Sequence, residues 1–189
     1  MNTPAHLIFA ATAFGKPDSR KVTWCAVLGG FLPDLSLYLM AGVSLFLLGI
    51  SPQRVFGHLY YSDAWQQVFA IDNSFVLWGI GCGIAIWRKI DWAVALTGAA
   101  LLHLALDFPL HNHDARLHFW PLSDWKFISP LSYWDHARHG RVVGAIEMAL
   151  VAGLSVLLLR RFKDLWLRIA FSALALLQLG PYVIWRVLL

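Results

Sequence analysis

The sequence predicts an all-α fold: a polytopic integral membrane bundle of about five spans, with a short N-terminal half-helix and an interfacial helix, in a single membrane domain over 1–189. Three observations predict it. Hydrophobic residues make up 59% of the chain and charged residues only 14%, whereas soluble domains run near ~25% charged. Ten Trp and twelve Phe suit aromatic belts at lipid interfaces. Apolar runs long enough to cross a hydrocarbon layer of roughly 30 Å recur, separated by short basic turns. The length of 189 residues fits one domain. The net charge of +4 forms no basic face concentrated enough to track phosphates, which argues against nucleic-acid binding. Cys25 and Cys82 both lie in apolar segments and read as small buried residues, with no disulfide framework and no CxxC motif.

Thr3-Pro4 reads as a helix cap followed by proline in the first turn. The apolar run 5–14 then ends at Gly15. At roughly 16 Å it is too short to span, so it is either a half-helix packed inside the protein or an interfacial segment. No Lys or Arg precedes it, the reverse of a signal peptide's order, so it is expected to be retained. The basic turn 16–21 leads into a long run over 22–50. Pro33 within it removes a helix hydrogen bond and biases Leu32 toward an extended conformation, which predicts a broken span with Asp34 capping its second half. Segment 51–70 mixes Tyr60, Tyr61, Trp65 and Phe69 with Asp63, Gln66 and Gln67, the pattern of an amphipathic element on the membrane surface. Ser74 lies in the capping stretch 71–74 of a second span over 75–87, closed by Arg88-Lys89. The third span, 92–110, carries His103 and Asp107, four apart and on one helical face. A long polar loop, 111–141, holds His111, His113 and His118. The fourth span, 142–159, contains Glu147, and the fifth covers 165–189.

The turns at 16–21, 88–91 and 160–163 are rich in Lys and Arg and alternate with 51–70 and 111–141. The positive-inside rule makes the first group cytoplasmic and puts the histidine loop on the outer side, periplasmic in a bacterial inner membrane. At about 1.5 Å per helical residue, Asp34 lies roughly 20 Å from Lys21, His103 roughly 18 Å and Asp107 roughly 24 Å from Asp91, Glu147 roughly 20 Å from Arg160, Asp72 roughly 24 Å from Arg88, and His6 about 15 Å from Lys16. Six ionisable residues from five segments thus share one slab. An isolated charge there costs several kcal/mol, whereas a group around a metal compensates itself. His6, Asp34, His103, Asp107 and Glu147 have the nitrogen and oxygen donors of a zinc-like divalent site. Asp72, His111, His113, Asp114 and His118 are placed to complete it from the outer rim. Arg116, Lys126 and Arg138 fit phosphate binding and lipid-headgroup contact equally well.

His6 after Thr3-Pro-Ala, Leu32-Pro33-Asp34, His103-Leu-Ala-Leu-Asp107 and Phe119-Trp-Pro-Leu-Ser-Asp124 together resemble the YdjM-type membrane-bound metal-dependent hydrolases. That family is similar in motif order to the zinc-dependent phospholipases C and related zinc nucleases. The resemblance covers most of 3–150 and implies metal ligands at His6, Asp34, His103 and Asp107, with Glu147 a loose match. The family's second-span His-Arg-Gly and Thr-His-Ser signatures are absent; the corresponding place reads Ala70-Ile-Asp72-Asn73-Ser74. The expectation is a membrane-embedded zinc hydrolase acting on a phosphoester of a lipid or lipid-linked substrate from the outer leaflet. Asp72 or Glu147 would serve as general base or orienting group. The missing signatures motivate the alternative: a non-catalytic subunit or assembly factor bound to partner membrane subunits, with a structural or vestigial metal site.

Overall fold

The structure is a computed structural model and describes residues 1–187. Its ordered elements are helical, with no β-strand among the described residues. The main helices are α1 (Thr3–Phe14), α2 (Arg20–Gly42), α3 (Pro52–Arg54), α4 (Asp63–Asp72), α5 (Phe75–Trp87), α6 (Asp91–Asp107), α7 (Gly140–Arg161) and α8 (Leu165–Val187). Four stretches are long and apolar enough to cross a membrane: Arg20–Leu47, Asp63–Trp87, Asp91–Leu110 and Gly140–Arg161. The expected fifth span over 165–189 corresponds to α8, Leu165–Val187; it is not one of these four, and residues 188–189 lie outside those described.

α1 is the half-helix of the first alternative, buried inside the bundle. Ala5, His6, Ile8, Ala10 and Ala11 are all buried, and the helix packs on α2, α6, α7 and α8. Its cap is Asn2, one residue earlier than expected, and the Asn2 amide reaches Glu147 instead of its own helix. Ile8 and Ala11 join Val151, Leu158, Phe162, Leu167 and Phe171 in the main apolar core. Large apolar side chains also point outward, including Phe46, Leu47, Ile80, Ile84 and Trp87. This inside-out distribution is the one a hydrocarbon solvent permits.

Two expectations are corrected. α2 does not break at Pro33 but runs unbroken through it. The proline removes the N–H that would bond the Gly29 carbonyl. Neighbouring helices stabilise the turn: the Gly30 carbonyl accepts from His103 Nδ1 at 2.7 Å, and the Pro33 carbonyl accepts from Asn73 Nδ2 at 3.1 Å. Asp34 therefore sits mid-helix and caps nothing. The broken span is instead the second one. Residues 63–70 of the expected surface element fall within Asp63–Trp87, a stretch long and apolar enough to cross a membrane, which breaks at Asn73-Ser74. Ser74 caps α5 by accepting from the Leu77 amide at 3.1 Å, as its sequence position predicts. The freed groups at the break find partners: His118 Nδ1 donates to the Asn73 carbonyl at 3.0 Å, and Trp78 Nε1 donates to the Asp72 carbonyl at 2.7 Å. Non-helical backbone at membrane depth is tolerated where protein supplies such partners. Cys25 and Cys82 are free and only half-buried.

The basic turns meet at one end of the bundle. Lys16 pairs with Asp91 at 2.8 Å, Arg20 pairs with Asp164, and Arg161 donates to the Thr12 and Gly15 carbonyls at 2.8 and 2.7 Å. At the other end the long loop folds down onto the helices. His111, Asn112, Asp114, Arg116, His118, Ser129 and Ser132 are buried in it. Ser129 anchors it by donating to the Pro109 carbonyl at 2.5 Å, and Phe127 stacks on Phe108 at 4.8 Å.

Candidate metal centre

α1 and α6 bring His6, His103 and Asp107 together. One ligand atom of each lies within 4.8 Å of the others, and all three residues are buried. His103 and Asp107 share a face of α6 because they are one helical turn apart. His6 arrives from the first turn of α1, and its ring stacks on that of His103 at 3.6 Å. Two imidazoles stacked this closely cannot both be cations at low cost, so a neutral pair or a shared ion suits the geometry. His103 Nδ1–H donates to the Gly30 carbonyl, which directs the Nε2 lone pair into the cluster. His103 Nε2 lies 3.4 Å from Asp107 Oδ2 and 3.8 Å from Asp34 Oδ1, with no hydrogen-bond partner. His6 Nε2 lies 2.9 Å from Asp107 Oδ1, and the amino group of Met1 donates to the same oxygen.

Asp34 stands at the edge of this group. It is part-exposed, and its other oxygen accepts from the Thr3 hydroxyl at 2.6 Å, itself bonded by Tyr38 at 2.9 Å. Glu147 and Asp72 are not in the group. Glu147 Oε1 accepts from the Asn2 amide side chain at 2.8 Å and from Gln178 at 2.6 Å, which ties α7 to α8 and to the start of α1. Asp72 accepts from the Asn73 side chain at 3.1 Å, at the break in the second span. His113 is exposed, and His118 serves the Asn73 carbonyl. Burial pushes His118 down to about 4, so it is neutral at pH 7.

His111 extends the cluster. Its Nε2 lies 3.1 Å from Asp107 Oδ2, and its Nδ1 donates to Asp114 at 2.9 Å. Burial disfavours its cation, but the Asp107 and Asp114 carboxylates outweigh burial and raise it to about 9. Asp114 is pushed up by burial and pulled down further by His111 and Trp134, to about 2. The His-x-x-Asp spacing 111–114 and the four-residue step 107–111 were visible in sequence, but their meaning depends on the loop folding inward. A depressed carboxylate stabilises the fold fully above its unfolded value of about 3.9 and loses that effect as pH falls towards about 2. Asp114→Asn is therefore expected to lower stability at pH 7 by about 1–2 kcal/mol, and by less at pH 3, in thermal denaturation of the detergent-solubilised protein. An unchanged midpoint at pH 7 would show that the His111–Asp114 pair is not stabilising.

Beside the cluster an apolar cavity of about 330 Å³ opens between α6 and α7, lined by Met1, Phe9, Leu106, Pro109, Ile146 and Glu147 among others. The chain is thus an all-helical protein with helices long and apolar enough to cross a membrane and a buried histidine–carboxylate cluster between α1 and α6. No family model, curated protein or solved structure matches the chain.

Proposed function

We propose that this chain is an integral protein of a bacterial inner membrane. In this reading His6, His103 and Asp107 hold a divalent cation, zinc, with Asp34 at its margin. We further propose that it hydrolyses a phosphoester of a lipid or lipid-linked substrate presented from the outer leaflet. The observation that carries this reading is the convergence of three buried ligand atoms, with His103 Nδ1 fixed on Gly30 and Nε2 left without a partner. The donor set of two imidazoles and one carboxylate fits the chemistry of zinc. A bound cation would supply the positive charge that acidifies water and polarises a phosphoryl oxygen. The chain's own groups do the rest. The Gly30 carbonyl orients His103, and Asp107 faces both histidine rings. His111 Nε2 is placed to hold or move a proton, with Asp114 fixing its ring. The apolar cavity between two membrane-length helices suits a lipid chain entering sideways.

Detergent-purified protein is expected to carry stoichiometric zinc by elemental analysis, and His103→Ala is expected to lose it. The wild type is expected to cleave at least one member of a lipid-phosphate panel, and to stop with chelator. A metal-free wild type, with His103→Ala unchanged in thermal stability, would sink the metal reading. Metal retained without any hydrolysis would favour a structural ion in a membrane complex.

A further inference from the structure

We propose that Arg116 is an anion-recognition residue whose guanidinium takes a phosphoryl oxygen beside the His6–His103–Asp107 centre. The ligand chemistry is a phosphate group, carried by a lipid headgroup or free in solution. The inference rests on the hydrolase reading above and names the part of the substrate that Arg116 would hold.

Arg116 is 6% exposed, yet among the described residues it makes no ion pair. Its buried NH1 has no hydrogen-bond partner at all. A buried charge without a counterion costs several kcal/mol, and a buried donor without an acceptor adds to that. Among the described residues no carboxylate lies within ion-pair distance, and the nearby ones hydrogen-bond to other groups. Asp114 accepts from His111, Trp134 and the Asn112 amide, and Asp72 accepts from Asn73. Two rings hold the guanidinium instead: Phe69 at 4.0 Å and Tyr60 at 4.8 Å. Stacking fixes the plane of the fork and contributes some cation–π stabilisation, but it satisfies no N–H. Packing alone would be served as well by an apolar side chain. A planar fork, held rigid with its NH1 donors unsatisfied, is what bidentate phosphate recognition uses.

The position agrees with the chemistry. Arg116 lies two residues beyond Asp114 in the buried start of the long loop. Asp114 accepts from His111 Nδ1, and His111 Nε2 lies 3.1 Å from Asp107 Oδ2, so the same loop segment that carries the guanidinium reaches the histidine–carboxylate centre. An anion bound there would neutralise Arg116 and sit beside the proposed cation. Both ring partners come from elements upstream of the Asn73 break, so α4 and the segment before it hold the guanidinium from one side.

The test uses the detergent-purified full chain loaded with zinc, as wild type, Arg116→Gln and Arg116→Lys. Calorimetric titration measures inorganic phosphate in one arm and short-chain phosphatidic acid micelles, against phosphatidylcholine micelles, in the other. Zinc content is measured on the same samples. The wild type is expected to bind at least one phosphate probe. Arg116→Gln is expected to weaken it by roughly 10- to 100-fold, the size of one lost charge-assisted hydrogen bond. Arg116→Lys, which keeps the charge but not the fork, is expected to fall between, with zinc unchanged in all three. Response to phosphatidic acid alone assigns a headgroup, and response to inorganic phosphate alone assigns the free anion. If Arg116→Gln does not fold, the Arg116→Lys titration decides. No phosphate binding by the wild type, or equal binding by a folded variant, overturns the proposal. Absence of zinc from the wild type overturns the hydrolase reading instead and leaves the phosphate comparison standing.

Discussion

Asp107→Asn is expected to abolish zinc binding and to destabilise the detergent-solubilised protein by about 3–5 kcal/mol, the usual result of removing one member of a buried charged network. Asp107 is the hub of the site. Its Oδ1 lies 2.9 Å from His6 Nε2, and its Oδ2 lies 3.4 Å from His103 Nε2 and 3.1 Å from His111 Nε2. Asparagine keeps the shape but removes the negative charge, and its amide group cannot accept at both positions. Imidazoles from three segments, all buried, then face a neutral side chain in place of the carboxylate. The measurement is chemical denaturation with and without chelator, alongside elemental analysis. The wild type should lose stability on chelation and the variant should not respond. A variant that keeps its metal and its chelator response would remove Asp107 from the ligand set and, with it, the proposed centre.

Gly29→Ala is expected to separate the two helices that position that hub. A Cβ at Gly29 would meet the Leu96 backbone, 2.7 Å from its carbonyl carbon and 2.9 Å from its Cα, and would press on its carbonyl oxygen. Backbone cannot swing away as a side chain can, so α2 and α6 must shift apart. Small residues at such contacts are what allow close helix packing in membranes. The expected loss is about 1–3 kcal/mol, with weaker zinc binding because His103 Nδ1 loses its fixed distance to Gly30. Gly98→Ala is the graded comparison: its Cβ would meet only the Phe14 ring, which can turn. Gly83→Ala, with open space around its Cβ, is the control. Thermal midpoints should fall in the order Gly83, Gly98, Gly29, the last lowest. A Gly29 variant as stable as the Gly83 control would contradict the close α2–α6 approach.

The site was legible where neighbours in sequence are neighbours in space. His103 and Asp107 face the same way because one helical turn separates them, and the structure keeps them so. Counting depth from the basic turns also placed His6 near them, and α1 delivers it to ring-stacking distance. The same counting set Glu147 and Asp72 at a similar depth, but depth says nothing of direction around a helix. Glu147 turns to Asn2 and Gln178, and Asp72 to the break beside Asn73. Pro33 misled for a related reason. Its local cost is real, yet His103 and Asn73, from 73 and 40 residues away, bond the neighbouring Gly30 and Pro33 carbonyls and hold the helix through the proline. In sequence Arg116 stands level with Lys126 and Arg138 as a residue for phosphate or headgroup contact; only the packing of Phe69 and Tyr60 on it sets it apart.

By itself the sequence determined the all-helical architecture, the existence of membrane-length apolar runs, the Ser74 cap and the paired faces of α6. These follow from hydropathy, local hydrogen bonding and the helical period, which act over a few residues. Only the tertiary structure decided that the second span breaks rather than the first, that residues 111–118 of the long loop fold into the protein, and that His6, His103, Asp107 and His111 share one centre. Those outcomes depend on which carbonyl, ring or carboxylate another segment brings to a group that cannot find water, and such partners lie far along the chain.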